Sequence, residues 1–235
     1  MSTWNLPPPP GFQGLRDDLP LEVYVRHLPH WRQKGATYFV TFRLGDSLPQ
    51  SKLHELAELR RDWERRNSRP NRCPDGLGSP SYDALEELAR LMTVKVETWL
   101  DEGMGSCLLK DQSCAGFVTE AMHHFDGERY ELGAYVVMPN HIHAIVRPIQ
   151  CAEDELEAIL KSWKQFSSTN IHQRIGGKGA LWQEESYDRI IRDEEHLDHC
   201  LQYLGANLRK AGLPPAACPL WVRPQWRALG WDFRM

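Results

Sequence analysis

The sequence predicts an α+β fold in which helices cover an antiparallel sheet. Two observations lead to this prediction: β-branched and aromatic residues mark strands, two of them joined by a tight turn, and apolar residues at three- and four-residue spacing mark helices between strands. The elements follow one another as strand, helices, hairpin, helix, strand and helix, an order typical of the α+β class. The chain of 235 residues shows no internal repeat and no second domain.

The first half of the chain is predicted to contain one strand and three helices. Residues 36–44 form the strand, and leucines at three-residue spacing followed by Trp63 mark the first helix. A second helix covers about 82–101 and a short third helix covers 113–124. The turn-forming residues 67–81 between the first two helices predict a loop.

The centre of the chain predicts a β-hairpin followed by a helix. Tyr130–Met138 and His141–Arg147 are strand-like, and Pro139-Asn140 between them is typical of a tight turn. Apolar residues recur on one side of Glu153–Thr169, which indicates a helix, and the glycine-rich stretch 176–179 indicates a flexible loop.

The last third predicts a strand, a capped helix and an irregular tail. The strand spans Trp182–Ile191. Asp193 is a typical N-cap for a helix that runs to about Lys210, where Gly212 and Pro214 end it. Residues 213–235 are rich in proline and tryptophan and are predicted to be irregular.

Composition is that of a soluble globular protein, with 41% hydrophobic and 26% charged residues. No apolar run approaches the roughly 20 residues of a membrane-spanning helix, so no membrane partner is expected. The N-terminus lacks a signal-peptide pattern, and we expect residues 1–24 to form an extended lead-in. Six cysteines without a CxxC pair indicate free thiols and a cytoplasmic protein.

Charge gives little support for a nucleic-acid partner on its own. The whole chain carries −4. From Lys161 to the C-terminus there are 11 Lys/Arg and 8 Asp/Glu, a net charge of +3, so the remainder carries −7. A locally basic face on an acidic protein is therefore compatible with the sequence.

His141 and His143 are the first candidate site. Side chains two residues apart on a strand share a face, so both imidazoles point the same way while Ile142 points to the other face. Two neutral imidazoles form half of a metal site. The alternative is ordinary alternation of polar residues on a solvated strand. The adjoining turn favours the metal site, because we expect it to place the pair at an edge of the sheet that a ligand can reach.

Tyr203 and Asn207 are the second candidate site. They lie one turn apart beside the apolar stripe of the predicted helix 193–210, and therefore on one face. A tyrosine hydroxyl near a metal can attack a phosphodiester, and an amide oxygen can complete a metal's ligand set. The alternative is a packed tyrosine ring and a surface asparagine. Tyr187, on the predicted strand 182–191, is a second candidate nucleophile without a ligand at i+4.

Together these motifs resemble the REP-associated tyrosine transposases of the single-tyrosine His-hydrophobic-His nuclease superfamily. The resemblance rests on Tyr135-Val-Val-Met-Pro-Asn-His-Ile-His143, on Trp182-Gln183 and on the Tyr203-x-x-x-Asn207 helix, and it covers roughly residues 25–213. Leu28-Pro-His-Trp31 and the strand that follows are similar to the family's opening strand. This chain has Asn207-Leu208 where the family commonly has Asn-Pro, and it carries an extra loop near 66–82 and a tail, 214–235.

The resemblance implies a ferredoxin-like antiparallel sheet with helices packed on it. It also implies a metal-dependent single-stranded DNA endonuclease and strand transferase that acts on hairpin-forming repeats through a 5′-phosphotyrosine intermediate. Tyr203 would be the nucleophile, and His141, His143 and Asn207 would hold Mg²⁺ or Mn²⁺. The enzyme would work as a monomer or homodimer. The alternatives are a cleavage-inactive hairpin DNA- or RNA-binding regulator and a metal hydrolase that activates water.

Substrate contacts are expected from basic residues on phosphates and from aromatic rings on bases. The candidate aromatic rings are the tryptophans of the tail, at positions 221, 226 and 231. The alternative for each candidate is a solvated charge or a packed ring. The candidate basic residues are Lys161, Lys164, Lys178 and Arg192.

Overall fold

The computed structural model describes residues 6–26, 28–67, 82–149, 155–214 and 216–234. The strands in these ranges are β1 Glu22–Val25, β2 Pro29–Arg32, β3 Tyr38–Arg43, β4 Tyr130–Val137, β5 His141–Pro148, β6 Tyr187–Ile190 and β7 Leu220–Val222. The helices are α1 Gln50–Asn67, α2 Tyr82–Asp101, α3 Gln112–His124, α4 Glu155–Ile175, α5 Glu194–Lys210 and α6 Pro224–Arg227, and a 3-10 turn spans Leu108–Lys110. Nearly all of the loop predicted at 67–81 lies outside the described residues.

Five strands form one antiparallel sheet in the order β6-β3-β5-β4-β7, and β1 and β2 pair as a separate hairpin. The chain passes from β3 through α1, α2 and α3 to the β4–β5 hairpin, and then through α4 to β6. Among these four strands β3 and β5 are central, which is the ferredoxin-like arrangement. The predicted α+β class with an antiparallel sheet is therefore confirmed.

The sheet is covered on both faces, and β5 alternates between them. One face packs against α3 and α4, and it includes Ile142 and Ala144. The other packs against α5 and the C-terminal segment, and it includes Ile145. His141 and His143 have the parity of Ile145, so both point toward α5, as the strand period predicts. The expectation that they lie at an edge of the sheet is wrong, because β5 is the central strand.

Helices α1 and α2 form a third hydrophobic cluster, which also includes Leu28 and Leu48. Trp63 of α1 and Val96 of α2 are among its buried side chains. The C-terminal end of α2 is held against the β4–β5 turn, because the Asn140 side chain donates to the carbonyl oxygens of Leu100 and Met104. This contact brings α2 to the functional residues of β5.

Helix α5 begins and ends as its sequence predicts. The Asp193 carboxylate accepts from the His196 backbone N–H at 2.7 Å, which satisfies one of the free amides of the first turn. At the other end Gly212 has a φ of +64°, and the Leu213 N–H donates to the Leu208 carbonyl at 2.8 Å. This is a Schellman motif, which needs a residue in the left-handed conformation, and glycine adopts that conformation without strain. The helix continues through Leu208, where a proline would end or kink it.

The C-terminal segment is more ordered than predicted. It contributes β7, which pairs with β4, and the short helix α6. Trp226 and Trp231 are buried, and their indole N–H groups donate to the carbonyls of Pro10 and Pro7. The Trp226 ring occupies the space that a side chain at Gly133 would need. The prediction of an irregular tail is wrong, since these indoles bury their large apolar area beneath the proline-rich N-terminal segment.

Other element boundaries also differ from the prediction. The strand predicted at 182–191 is limited to β6, because Thr41 pairs with Tyr187 while the Arg43 carbonyl already accepts from the Gln183 N–H. Between these two contacts one strand has the three residues 184–186 and the other has only Phe42, so the regular pairing is interrupted. Helix α4 extends six residues beyond its predicted end at 169. The β1–β2 hairpin was not predicted.

Across the described ranges, no helix combines the length and hydropathy that crossing a bilayer requires.

Candidate active site

The two imidazoles of β5, the His pair, face each other in a fully enclosed position. The Nε2 atoms of His141 and His143 are 3.0 Å apart, and the rings are inclined at 78°. Their exposed fractions are 1% and 0%. Burial lowers the pKa of His141 to about 3 and that of His143 well below its usual value. Both rings are therefore neutral near pH 7, which is the form that binds metal ions.

Asn140 determines which nitrogen of His141 carries the hydrogen. Its Nδ2 group donates to the carbonyls of Leu100 and Met104, at 3.4 and 3.0 Å, so the orientation of the amide is fixed. Oδ1 then lies 2.8 Å from Nδ1 of His141. Because a carbonyl oxygen only accepts, Nδ1 is the protonated nitrogen, and Nε2 of His141 carries the lone pair.

Thr41 makes the matching contact to His143, with 2.7 Å between Oγ1 and Nδ1. Since Nε2 of His141 is an acceptor, the contact between the two Nε2 atoms requires His143 to donate from Nε2. Its Nδ1 then accepts from the Thr41 hydroxyl. If the hydrogen moves to Nδ1, the hydroxyl rotates to accept it, and both Nε2 lone pairs become available to one ion.

Tyr203 lies against this pair. Its ring meets His143 edge to face, with 5.2 Å between ring centroids, and it meets Phe39 at 5.9 Å. Tyr187 is on the same face of the sheet, since it pairs with Thr41, but among the described residues it has no ring contact with either imidazole. Of the two candidate nucleophiles, the structure therefore brings Tyr203 to the His pair.

Two carboxylates of α2 face Tyr203. Glu97 hydrogen-bonds to the phenol hydroxyl, and Asp101 lies one turn further along. Burial, followed by the negative charges of Glu97 and Asp101, raises the pKa of the Tyr203 phenol well above its usual value. Burial also raises the pKa of both carboxyl groups. Positive charge comes from Lys210, whose Nζ lies 4.2 Å from the centroid of the Tyr203 ring.

Asn207 has the features expected of a third ligand. It is fully buried, and its Nδ2 donates to the Tyr203 carbonyl at 2.6 Å, while its Oδ1 is buried without a hydrogen-bond partner. A buried acceptor without a donor is costly, and a cation would satisfy it. In the described ranges no group of three or more His, Cys, Asp or Glu is placed to hold a metal. An ion at the His pair would therefore take its remaining ligands from other donors, and the chemistry of two imidazoles with an amide oxygen such as that of Asn207 fits a divalent ion that accepts both nitrogen and oxygen ligands.

Comparison with solved structures gives a distant likeness. No protein-family model matches the chain, and no curated protein matches it. The chain is similar to the solved structure described as "Structure of the REP associates tyrosine transposase bound to a REP hairpin". The two are 16% identical, the match covers 78% of this chain and 73% of that chain, and the TM-score is 0.35. A likeness this distant leaves the functional argument to the site itself.

None of the four basic residues predicted to contact DNA has a described contact with the His pair. Lys161 and Lys164 belong to α4, which packs on the opposite face of the sheet. The Lys164 ammonium donates to the carbonyls of Gln183 and Glu184, both at 2.9 Å. Lys178 is exposed in the loop after α4, and Arg192 forms an ion pair with Glu86. Their role in DNA binding stays a prediction.

The tryptophans of the tail are also engaged within the protein. Trp226 and Trp231 are buried, so the expectation that they stack on bases is wrong. Trp221 is partly exposed, and its ring stacks on Tyr135 at 5.5 Å.

The sequence analysis missed four residues that complete the site: Asn140, Thr41, Glu97 and Asp101. The sequence places Asn140 in the turn and in the motif that carries the resemblance, and its position directly before His141 is a signal for a role that neither assignment gives it. Thr41 is opposite His143 in the β3–β5 register, which no single-strand pattern reveals. Glu97 and Asp101 reach the site because α2 packs against it. Their four-residue spacing is also common on solvent-exposed helix faces, so it does not indicate a functional site.

Proposed function

We propose that this protein is a metal-dependent single-stranded DNA endonuclease and strand transferase, a transposase that acts on hairpin-forming repeats through a 5′-phosphotyrosine intermediate. One observation carries the proposal: the Tyr203 ring lies against His143, whose Nε2 atom is 3.0 Å from that of His141. A phenol and two neutral imidazoles thus share one enclosed cluster. The hairpin substrate follows the sequence resemblance, and we propose that the protein works in the cytoplasm as a monomer or homodimer.

His141, His143 and Asn207 are the proposed ligands of a divalent ion, Mg²⁺ or Mn²⁺. When bound, such an ion polarises the scissile phosphate and favours the ionised phenol. Two imidazoles favour Mn²⁺ over Mg²⁺, which prefers oxygen ligands. Asn140 and Thr41 hold the two rings through their Nδ1 atoms, so the Nε2 atoms point toward a common position.

The strand transfer itself uses the Tyr203 oxygen. A bond forms between that oxygen and phosphorus, and the bond from phosphorus to the 3′ oxygen breaks. The phenol proton passes to Glu97, which already hydrogen-bonds to the hydroxyl, and the leaving oxygen takes a proton from water and departs as a 3′-OH. The 5′ phosphate stays on Tyr203, and attack by another 3′-OH reverses the step without ATP.

Access to the His pair requires local movement. Both imidazoles are enclosed between the sheet, α5 and the C-terminal end of α2, and their exposure is close to zero. The Asn140 amide connects that end of α2 to the pair through its bonds to Leu100 and Met104. We therefore propose that a DNA strand reaches the site when the end of α2 moves away from Tyr203.

The test is incubation with end-labelled single-stranded hairpin DNA and Mn²⁺, followed by a denaturing gel. We expect a covalent protein–DNA adduct that depends on Mn²⁺ and is absent in Tyr203→Phe. Free 5′-phosphate products that persist in Tyr203→Phe would instead assign a hydrolase in which the metal activates water. Hairpin binding without any cleavage would assign a regulatory binding protein.

A further inference from the structure

A cavity of about 330 Å³ lies where α1, α2 and the segment before β6 meet. Apolar side chains of α1 and α2 form one wall, among them Leu53, Leu56 and Met92. Polar groups of Arg43, Gln183 and Tyr187 also line it, together with Arg60 and with Glu185, whose carboxylate is paired with His30 at 3.0 Å. The volume is at the lower end of the range for small-molecule sites, roughly 300–1,000 Å³, so it suits a ligand with one flat ring system.

Arg43 is a buried cation that lacks a counter-charge. Its residue is 3% exposed, and its Nη1 donates to the Ser47 hydroxyl at 3.0 Å and to the Leu44 carbonyl at 3.5 Å. Its Nε is buried without a hydrogen-bond partner, and no carboxylate in the described part of the chain forms an ion pair with it. By contrast, the buried guanidinium of Arg32 pairs with both Glu157 and Asp188.

A buried guanidinium without an anion is costly to folding. Removal from water destabilises the charge, and only a matching negative group offsets that cost. A guanidinium group remains charged even when it is buried, and its N–H donors match the oxygens of a phosphate. An unpaired guanidinium in a cavity with an apolar wall is therefore suited to a ligand that joins an anion to a flat apolar group.

The position of Arg43 connects this cavity with the His pair. Arg43 is directly opposite His141 in the β3–β5 register, so the two side chains leave the same face of the sheet. An anion bound to Arg43 would thus lie next to a phosphate that reacts at the His pair. Two consecutive phosphates of one nucleic-acid strand are neighbours in the same way.

We propose that the cavity binds one nucleotide of the single strand next to the reacting phosphate, with its phosphate on Arg43 and its base against the apolar wall of α1 and α2. This inference rests on the proposed function, because it takes the strand from that reaction. Tyr187 supplies an aromatic ring to the lining, and aromatic rings bind bases with little sequence preference.

The experiment measures DNA binding without cleavage, in the Tyr203→Phe background. The tightest-bound flank sequence is first selected from fluorescent hairpins that carry a randomised single-stranded flank. An abasic site is then placed at each position of that flank in turn, and the affinity is measured. We expect one position at which loss of the base weakens binding tenfold or more. A profile without any sensitive position would overturn the inference.

Filling the cavity is the second arm of the test. Ala57 is an exposed lining residue of α1, so Ala57→Trp should occupy the cavity and abolish the sensitivity to that abasic site. Ser51→Trp is the matched control, because Ser51 is exposed on the same helix and does not line the cavity. Equal abasic sensitivity in Ala57→Trp and Ser51→Trp would contradict the inference.

Arg43→Met separates a ligand-binding role from a structural one. We expect binding to fall tenfold or more while Tm is unchanged or higher, since the variant removes a buried charge that has no counter-ion. A lower Tm with unchanged affinity would assign Arg43 to the fold. The two proposals can fail separately. If the wild-type protein forms no covalent adduct, the proposed function is refuted, and the abasic-site measurements still test the cavity. If an adduct forms but no flank position is sensitive, only the proposed role of the cavity is refuted.

Discussion

Asn140 and His141 are joined by a 2.8 Å hydrogen bond from Nδ1 of the imidazole to Oδ1 of the amide. The other end of that amide donates to two carbonyls at the end of α2. One side chain therefore sets the tautomer of a proposed metal ligand and attaches a helix to the site. Its geometry couples the chemistry of the His pair to the position of α2.

Asn140→Ala should weaken metal binding and destabilise the fold. Loss of a side chain that hydrogen-bonds to a metal-binding imidazole typically lowers metal affinity 10- to 100-fold, and we expect that range for Mn²⁺ in titration calorimetry. The carbonyls of Leu100 and Met104 each lose one donor, although Leu100 keeps the Gly103 N–H, and this should lower the free energy of unfolding in urea by about 1–3 kcal/mol. Thr41→Val, which removes only the hydroxyl facing His143, is the control with a smaller loss of stability. Unchanged Mn²⁺ affinity in Asn140→Ala would refute the orienting role.

Tyr203→Phe should abolish the covalent adduct and leave the fold intact. The substitution keeps the ring that packs on His143 and Phe39 and removes only the hydroxyl. Hairpin affinity should stay within a few-fold of wild type, because the packing is unchanged. Tyr187→Phe is the matched control on the same face of the sheet and should still form the adduct. Adduct formation that depended on Tyr187 instead would reassign the nucleophile.

Glu97→Gln should slow adduct formation even though it makes the phenol more acidic. The Glu97 charge helps to raise the pKa of Tyr203, so its neutralisation lowers that pKa. The variant also loses the acceptor for the phenol proton, and loss of a general base typically costs a factor of about 10²–10⁴. Single-turnover rates across pH would show a deficit at neutral pH that narrows in alkali.

Asp101→Asn provides the control for this effect. Asp101 also raises the pKa of Tyr203 by its charge, but it makes no hydrogen bond to the phenol. Its neutralisation should therefore leave the rate near that of wild type or raise it. A faster reaction in Glu97→Gln would show that the carboxylate acts only through its charge and takes no proton.

The sequence predicts those parts of the site that follow local periodicity. The β4–β5 hairpin, the shared face of His141 and His143, and the capped helix that carries Tyr203 are all as expected. These features depend on strand period, turn residues and caps, which act over a few neighbours. The acidic residues of α2 and the arginine opposite His141 depend on which elements pack together, and tertiary packing leaves no periodic signal in the chain.

The enclosed His pair should make the metal-free protein less stable in mild acid. In the folded state the pKa of His141 is about 3, against about 6.5 when the chain unfolds. Between these values the unfolded chain binds more protons, so stability is lost as pH falls below about 6.5, by up to about 1.4 kcal/mol per pH unit for each imidazole. His143 acts in the same direction. Urea unfolding in the presence of a chelator measures this slope.

Other groups also titrate on unfolding, among them His196, whose pKa burial lowers to about 4, so the comparison needs His141→Gln. Raised carboxyl pKa values at Glu97 and Asp101 add stability as pH falls, which opposes the imidazoles. His30, whose pKa is raised to about 9, already contributes fully below pH 6.5 and adds no slope there. Because these groups are common to both proteins, His141→Gln should have a slope that is smaller by up to about 1.4 kcal/mol per pH unit as pH falls from 6.5 to 5. Equal slopes would show that His141 takes up protons in the folded protein as readily as in the unfolded chain, which would contradict a folded-state pKa lowered by burial.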